Sequence, residues 1–239
     1  MLTRNEERTI ARALLSLPPD MPVFVLDAES TDETVRVASD LGARTERRPW
    51  GGFVEARRYA LSRVTTPWAF MLDADEVVAP RLADALCDAG EDVDAYVVRR
   101  TSWFCGRPIR RWTAEPYVRV FRVDRVRLEA RPASGGAGEV HERWVVDGRT
   151  GELPGLLEHY SYPSLASYRR KFDEYTGIEA RGLRSSRGKL AFVSLRAIIR
   201  FLAHLLLRGV LLDGWRGVYV AFWSEMYPVV VHWKSLRAR

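Results

Sequence analysis

The residues of this 239-residue chain best suited by type and spacing to do chemistry are Asp73 and Asp75. They close the apolar run Trp68-Ala69-Phe70-Met71-Leu72 and are separated from each other by one small residue. Such a run is too short for a helix and lacks alternation, so it predicts a strand buried on both faces. In an open α/β sheet the carboxyl ends of the strands form the binding crevice, which puts both acids at its lip. Asp-x-Asp at a strand exit suits a hard divalent cation that also holds a substrate diphosphate. The plain alternative is an acidic turn capping the helix that Pro80 opens.

Other residues widen that site. Val23-Phe24-Val25-Leu26 is a second apolar strand ending in an acid, Asp27. Two acids at neighbouring strand exits serve a nucleotide: one accepts hydrogen bonds from base or ribose, the other holds a metal on the phosphates. Arg57, in a helical stretch, can reach the same edge as a phosphate or base contact, or can be a solvated helix residue. His141-Glu142 follows the glycine-rich stretch 134–138, a suitable place for a mobile general base, or for a surface charge pair. His159, between Leu157 and Tyr160, reads either as a structural histidine or as a third metal ligand.

The elements that must position these groups follow from periodicity. Thr3 with Glu6 and Ser30 with Glu33 match the helix-opening S/T-x-x-E box, predicting helices that run to Leu17 and Leu41. Residues 43–47 fit a short strand, 53–64 a helix and 80–89 another. This β-α-β-α-β order makes a parallel, right-handed, doubly wound sheet the economical topology. Beyond Asp94 the pattern becomes alternating and aromatic, with strands over 95–100, 117–123 and 144–146. After Pro163 the chain reads as helix almost to its end.

Charge is unevenly placed. Residues 1–160 carry 23 basic and 26 acidic side chains, a net of −3, whereas residues 161–239 carry 14 and 5, a net of +9. The basic tail points to a polyanionic partner. Two cysteines are too few for a disulfide framework and fit a reducing compartment, and no secretory signal is visible. Neither G-x-G-x-x-G nor a P-loop occurs, which argues against dinucleotide and P-loop binding. No nucleic-acid-binding module is present either.

The ordered set Thr3-Arg4-Asn5-Glu6-Glu7, Leu26-Asp27-Ala28-Glu29-Ser30-Thr31-Asp32 and Leu72-Asp73-Ala74-Asp75-Glu76 resembles the family 2 inverting glycosyltransferases of GT-A fold. Val140-His141-Glu142, His159-Tyr160-Ser161-Tyr162 and Leu212-Asp213-Gly214-Trp215 are similar to the branch containing lipopolysaccharide-core β-1,4-glucosyltransferases. The resemblance runs nearly end to end. It implies an α/β fold, a Rossmann-like, mostly parallel sheet flanked by helices. Residues 1–160 would form the nucleotide-sugar-binding catalytic domain and 161–239 an amphipathic, membrane-proximal helical region. It further implies that Thr3, Asn5, Glu6, Asp27, Arg57 and Asp73 bind a nucleotide-sugar donor, a UDP-sugar. Asp73, Asp75 and His159 would hold Mg²⁺ or Mn²⁺, and Glu142 would be the base beside Asp75 in the catalytic set. Relatives usually carry a full apolar strand before the Thr-Arg-Asn-Glu segment, where this chain has Met1-Leu2, so a truncated first strand is expected. They often have Gly or Ser-Gly where this chain has Ala28-Glu29.

The tail bears on the partner. Leu190 to Leu212 has the length of a membrane span, but Arg196, Arg200, His204 and Arg208 recur every four residues. Each arginine at the centre of a span costs about 2.5–3.5 kcal/mol, which cancels most of the apolar gain. A helix at the membrane surface, or one packed on the catalytic domain, avoids that cost, and Trp215, Tyr219, Phe222, Trp223, Tyr227 and Trp233 suit an interface. The expectation is an enzyme on the inner face of the cytoplasmic membrane, moving a sugar to a glycan or lipid-linked acceptor at an anionic surface. The rival reading is a membrane-surface binding protein with an inactive, truncated transferase domain. A D-x-D phosphatase would need that motif on an early strand and a downstream lysine. A nucleotidyltransferase would need a Lys-bearing glycine loop.

Overall fold

The computed structural model describes all residues except 91, 112–115, 134–135 and 239, with the backbone alone over the rest of 130–142. The chain divides into two units. The first comprises 1–101, 114–130 and 142–160, and the second 102–113, 131–141 and 161–239. Residues 102–113 and 131–141, which the sequence places with the N-terminal part, therefore group with the C-terminal helices.

In chain order the elements of the N-terminal stretch are β1 (Leu2–Thr3), α1 (Ile10–Leu15), β2 (Phe24–Asp27), α2 (Thr34–Asp40), β3 (Arg44–Arg47), α3 (Phe53–Ser62), β4 (Trp68–Phe70), β5 (Glu76–Val78) and α4 (Pro80–Cys87). They are followed by β6 (Ala95–Val98), β7 (Arg100–Phe104), β8 (Arg107–Ile109), β9 (Tyr117–Arg122), β10 (Val126–Ala133), β11 (Gly136–Val146), β12 (Thr150–Glu152) and β13 (Leu157–Tyr162). Three long helices complete the chain: α5 (Leu165–Gly182), α6 (Arg187–Leu207) and α7 (Gly214–Arg237).

The first unit is built as the alternating strand and helix pattern requires. β1, β2 and β3 form a parallel sheet, with Thr3 opposite Asp27 and Asp27 opposite Arg47. A second, mixed sheet has the order β12-β6-β9-β4. Two apolar clusters support them. Ile10, Leu14, Val25, Ala38 and Ala74 pack around the parallel sheet, and Leu72, Val78, Leu82, Val98, Val120 and Leu157 pack around the mixed one.

Several local expectations change. Thr3 ends a strand rather than capping a helix, because its carbonyl accepts the Ala28 amide (2.9 Å) and holds the backbone extended. Glu6 closes the following turn, its carbonyl accepting from the Thr9 and Ile10 amides. Ser30 likewise caps no helix: its hydroxyl donates to the buried Asp27 carboxylate and accepts the Asn5 backbone amide, and α2 starts four residues later. β4 is shorter than the apolar run and only half-buried, and it pairs antiparallel to β9 instead of joining the parallel sheet. A single parallel bridge, Leu2 to Asp73, links it toward β1. A cavity of about 530 Å³ flanks β4, lined by Trp68, Phe70, Phe24, Leu61 and Phe121 among others, which accounts for the exposure of its apolar side chains. The expected strand 95–100 is interrupted at Arg99 between β6 and β7.

In the second unit, β7 and β8 form a hairpin, with Ser102 opposite Ile109. Its two turn residues, Cys105 (φ 48°) and Gly106 (φ 78°), are both left-handed, as a tight hairpin turn demands. Phe104 and Ile109 from the hairpin join Tyr168 of α5 and Val220 of α7 in one core, with Tyr162, Phe172, Tyr219 and Trp223 packed around it. Ser164 caps α5 through a reciprocal bond with Ser167. The apolar stretch expected to continue to Leu212 ends as a helix at Leu207. Gly209 turns left-handed there (φ 64°), and a 3-10 turn over Val210–Asp213 leads to α7. Gly217 of α7 lies so close to this turn that a Cβ would stand 2.4 Å from the Val210 carbonyl oxygen.

Candidate active site

The Asp-Ala-Asp segment occupies the turn between β4 and β5, closed by the Glu76 amide donating to the Asp73 carbonyl (3.0 Å). The turn divides the two acids between different partners. Asp73 faces arginines: Arg57 Nη2 lies 3.3 Å from its Oδ1, and Arg119 Nη1 lies 3.4 Å from its Oδ2. Arg57 reaches it from α3, with its other terminal nitrogen 2.6 Å from Met71 Sδ. Arg119 comes from the centre of β9 and also binds the wholly buried Glu76, Nη2 to Oε1 at 2.6 Å. The second oxygen of Glu76 accepts the Asp73 amide (3.0 Å), so the turn and its ion pairs are one network.

The electrostatics follow from that geometry. Burial by itself would raise the pKa of Asp73, but Arg57 and Arg119, helped by His159 and Arg100, reverse this and hold it well below the usual carboxylate range. Glu76 goes the other way. Burial pushes its carboxyl up, opposed by Arg119 and reinforced by the negative charge of Asp73.

Asp75 meets His159 instead. Its Oδ2 is 3.2 Å from His159 Nε2, and each side chain is 19% exposed. The antiparallel pairing of β13 with β5 places His159 opposite Glu76, one residue from Asp75, and the Tyr160 amide donates to the Asp75 carbonyl (2.9 Å). A carboxylate oxygen and an imidazole nitrogen this close can both ligate one cation, with phosphate oxygens and water completing its shell. Among the described residues no three His, Cys, Asp or Glu side chains converge as a ready cation site. Two donors, one oxygen and one nitrogen, would leave most of a cation's shell to ligand oxygens and water.

The remaining predicted residues form a second cluster around the β2 exit. Asp27 is fully buried and accepts from the Ser30 amide (2.9 Å), the Ser30 hydroxyl and Arg47 Nε (3.3 Å). Asn5 ties the two loops together, its amide donating to Ser30 Oγ (2.8 Å) and its Oδ1 accepting the Thr31 amide (2.8 Å). Glu6 donates its amide to Thr34 Oγ1 (2.8 Å) and accepts the Thr9 hydroxyl on its side chain (2.5 Å). The Thr3 hydroxyl is buried and has no hydrogen-bond partner among the described residues, a free donor at this edge. Glu29 stands in the left-handed region (φ 55°), where glycine would sit without strain. Glu142 and His141 lie outside the described residues.

Sequence reasoning missed Arg119, Glu76, Arg47 and Arg100. An arginine within the apolar alternation of residues 117–123 was a usable signal, because such a residue is buried only when paired. The others carry no local mark.

These features fall in a chain that belongs to glycosyl transferase family 2, whose family model matches residues 1–175. The chain is 30% identical over 195 residues to an uncharacterized glycosyltransferase of Rickettsia typhi, covering 77% of this chain and 66% of that protein. It is 26% identical over 185 residues to the lipopolysaccharide core biosynthesis glycosyltransferase LpsC of Rhizobium meliloti, covering 74% and 67%. It spans just under two thirds of the Rickettsia typhi protein and 31% of the length of the Rickettsia felis relative. Among solved structures, it is similar to glucosyl-3-phosphoglycerate synthase of Mycobacterium tuberculosis in complex with Mn²⁺ and UDP-glucose (25% identity, 43% of this chain and 41% of that one, TM-score 0.35). It is also similar to TarS of S. aureus in complex with UDP-GlcNAc (18% identity, 51% and 44%, TM-score 0.40).

Proposed function

We propose that this protein is an inverting glycosyltransferase that moves a sugar from a nucleotide-sugar donor, a UDP-sugar, to a hydroxyl of a glycan or lipid-linked acceptor. The observation that carries the reading is the Asp73-Ala74-Asp75 turn, with Asp73 held by two arginines and Asp75 beside His159, in a family 2 chain. Asp75 and His159 would hold a divalent cation, Mg²⁺ or Mn²⁺, which when bound neutralises charge on the departing diphosphate. Asp73, fixed as an anion by Arg57 and Arg119, would accept hydrogen bonds from the ribose hydroxyls. Asn5 and the Thr3 hydroxyl would line the edge where the base lies, with buried Asp27 holding the Ser30 loop in place and Glu6 bracing the Asn5 loop. Glu142 would take the proton from the acceptor hydroxyl as it attacks the anomeric carbon opposite the diphosphate, inverting that centre. The similarity to LpsC supports a cell-envelope glycan, such as a lipopolysaccharide core, as acceptor, and the basic C-terminal unit supports work at the cytoplasmic face of the membrane.

The test is thermal shift and donor hydrolysis across a panel of nucleotide sugars, with and without Mn²⁺, for the wild type and Asp75→Ala. The expected result is Mn²⁺-dependent stabilisation and hydrolysis with one donor, lost in the variant. A folded wild-type protein that responds to none of the donors would overturn the proposal.

A further inference from the structure

α6 is amphipathic in the reverse sense for a helix of a water-soluble protein. Its covered face carries buried Ala197 and His204 with half-buried Ser194 and Phe201, and the Phe201 ring meets Phe222 of α7 edge to face, centroids 5.4 Å apart. At its centre, His204 Nε2 lies 2.9 Å from Glu225 Oε1 of α7, and Arg200 Nε lies 2.8 Å from the other oxygen of Glu225. The opposite face carries Phe192, Leu195, Ile198, Ile199, Leu202 and Leu206, each about half exposed or more, with Leu206 at 79%. Only 11% of the most apolar 18-residue window of α6 is buried, although its mean hydropathy is 1.9. The apolar surface continues past the helix end through Leu211, Leu212 and Trp215. An exposed patch of this extent marks an interaction surface.

Its charge identifies the partner. Every charged residue on α6 is basic, and Arg196 lies exposed beside the apolar face, in a region with a net charge of +9. Basic residues flanking a broad apolar face match the headgroup and acyl layers of an anionic bilayer, whereas a protein partner of ordinary composition has no such layered structure. The polar pairing of α6 to α7 sets the orientation. Because Arg200 and His204 are fixed toward Glu225 and Arg196 stands at mid-helix, α6 cannot cross the acyl layer without burying charge on its flank. Lying flat, it puts the apolar face into the lipid and Arg196 at the phosphates.

We infer that α6, with the turn to Trp215, is a monotopic docking surface that lies in the plane of an anionic membrane, with Leu195, Ile199, Leu202 and Leu206 in the acyl boundary. The inference sharpens the membrane-surface part of the proposed function and is independent of donor chemistry.

Full-length protein is floated with phosphatidylcholine vesicles, either pure or containing about one-third phosphatidylglycerol, as wild type and as Leu195→Glu/Leu202→Glu. Wild type is expected to float with the anionic vesicles and at least about tenfold less with the neutral ones, and to be stripped by alkaline carbonate. The variant is expected to lose about tenfold or more in partitioning. Both substituted positions are exposed, so its melting temperature and helical content should stay at wild-type values. The milder Leu202→Ser gives an intermediate loss in the same assay. Failure of wild type to float with anionic vesicles, equal flotation of the double variant, or resistance to carbonate would each overturn the inference. The donor-induced thermal shift, measured on the same variants, separates this outcome from the fate of the transferase reading. The shift should persist in a protein that no longer floats.

Discussion

The two units break the ordinary partition of residues in opposite directions. The first hides charge. Arg57, Arg119 and Glu76 are buried around Asp73, in a region whose surroundings are Leu72, Val78 and Val120. The second exposes grease, with α6 turning Leu and Ile outward and keeping a His–Glu–Arg cluster against α7. Burying charge without partners is costly, and exposing a broad apolar face in water gives up the main driving force of folding. The buried charges satisfy one another through the Arg57, Arg119, Asp73 and Glu76 pairs, whereas the apolar face of α6 has no such compensation within α6 and α7. The lesson is that the exception to the partition rule, more than the motif, locates a working surface.

The sharpest way to break the comparison is to remove the charge from one unit. Arg119→Ala leaves Glu76 and Asp73 without their shared cation, and a loss of about 3–5 kcal/mol in urea-unfolding stability is expected. A loss under 1 kcal/mol would mean that water enters the network and screens the remaining carboxylates. The same side chain placed in both units gives the next test. Leu157, fully buried beside β5, should cost about 2–5 kcal/mol as Leu157→Ala. Leu206→Ala in α6 should stay within about 0.5 kcal/mol in aqueous buffer. Equal effects would erase the distinction between an apolar residue that holds the fold and one that awaits a partner.

Acid adds a smaller handle. The depressed pKa of Asp73 means that its stabilising contribution is complete above the ordinary carboxylate value of about 4 and is lost as the pH falls below it. The stability gap between wild type and Asp73→Asn, measured by urea midpoints from pH 6 downward, should therefore narrow below pH ~4. A gap independent of pH would rule out the ionised, arginine-held carboxylate. The least effect expected is a gain. Glu29→Gly relieves the left-handed backbone at the loop after β2 and should stabilise the protein by up to ~1 kcal/mol, after the entropy cost of glycine. A loss would show that the Glu29 side chain makes a contact worth more than the strain.

Much of this was readable in one dimension. The apolar runs before Asp27 and Asp73 announce strands with acids at their ends; Asp27 does end β2, whereas β4 stops at Phe70 and Asp73 stands in the turn beyond it. After Pro163 the chain reads as helix almost to its end, and the structure divides that stretch into three helices whose ends lie near glycines and serines. Where local reading failed, a long-range partner had outcompeted a short-range one. Ser30 has the spacing of a helix cap, but its hydroxyl donates to the buried Asp27 carboxylate and accepts the distant Asn5 backbone amide. Thr3 has the same spacing, and pairing with β2 takes its backbone. Among the tail aromatics, Tyr219 and Trp223 turn into the core of the second unit while Trp215 and Trp233 stay exposed, a choice made by α5 and the β7–β8 hairpin.

The sequence by itself therefore determined the alternation of strands and helices up to α4, the helical character after Pro163, the acid at the end of β2, the membership in family 2, and the concentration of positive charge after residue 160. Local spacing and composition carry those properties. Only the tertiary structure decided that Arg119, 46 residues from Asp73, would be its partner, and that register would bring His159 beside Asp75. It also decided which face of α6 would be spent on α7 and which would be left outward. Pairings of that kind depend on how distant strands and helices are brought together, and a count along the chain does not contain them.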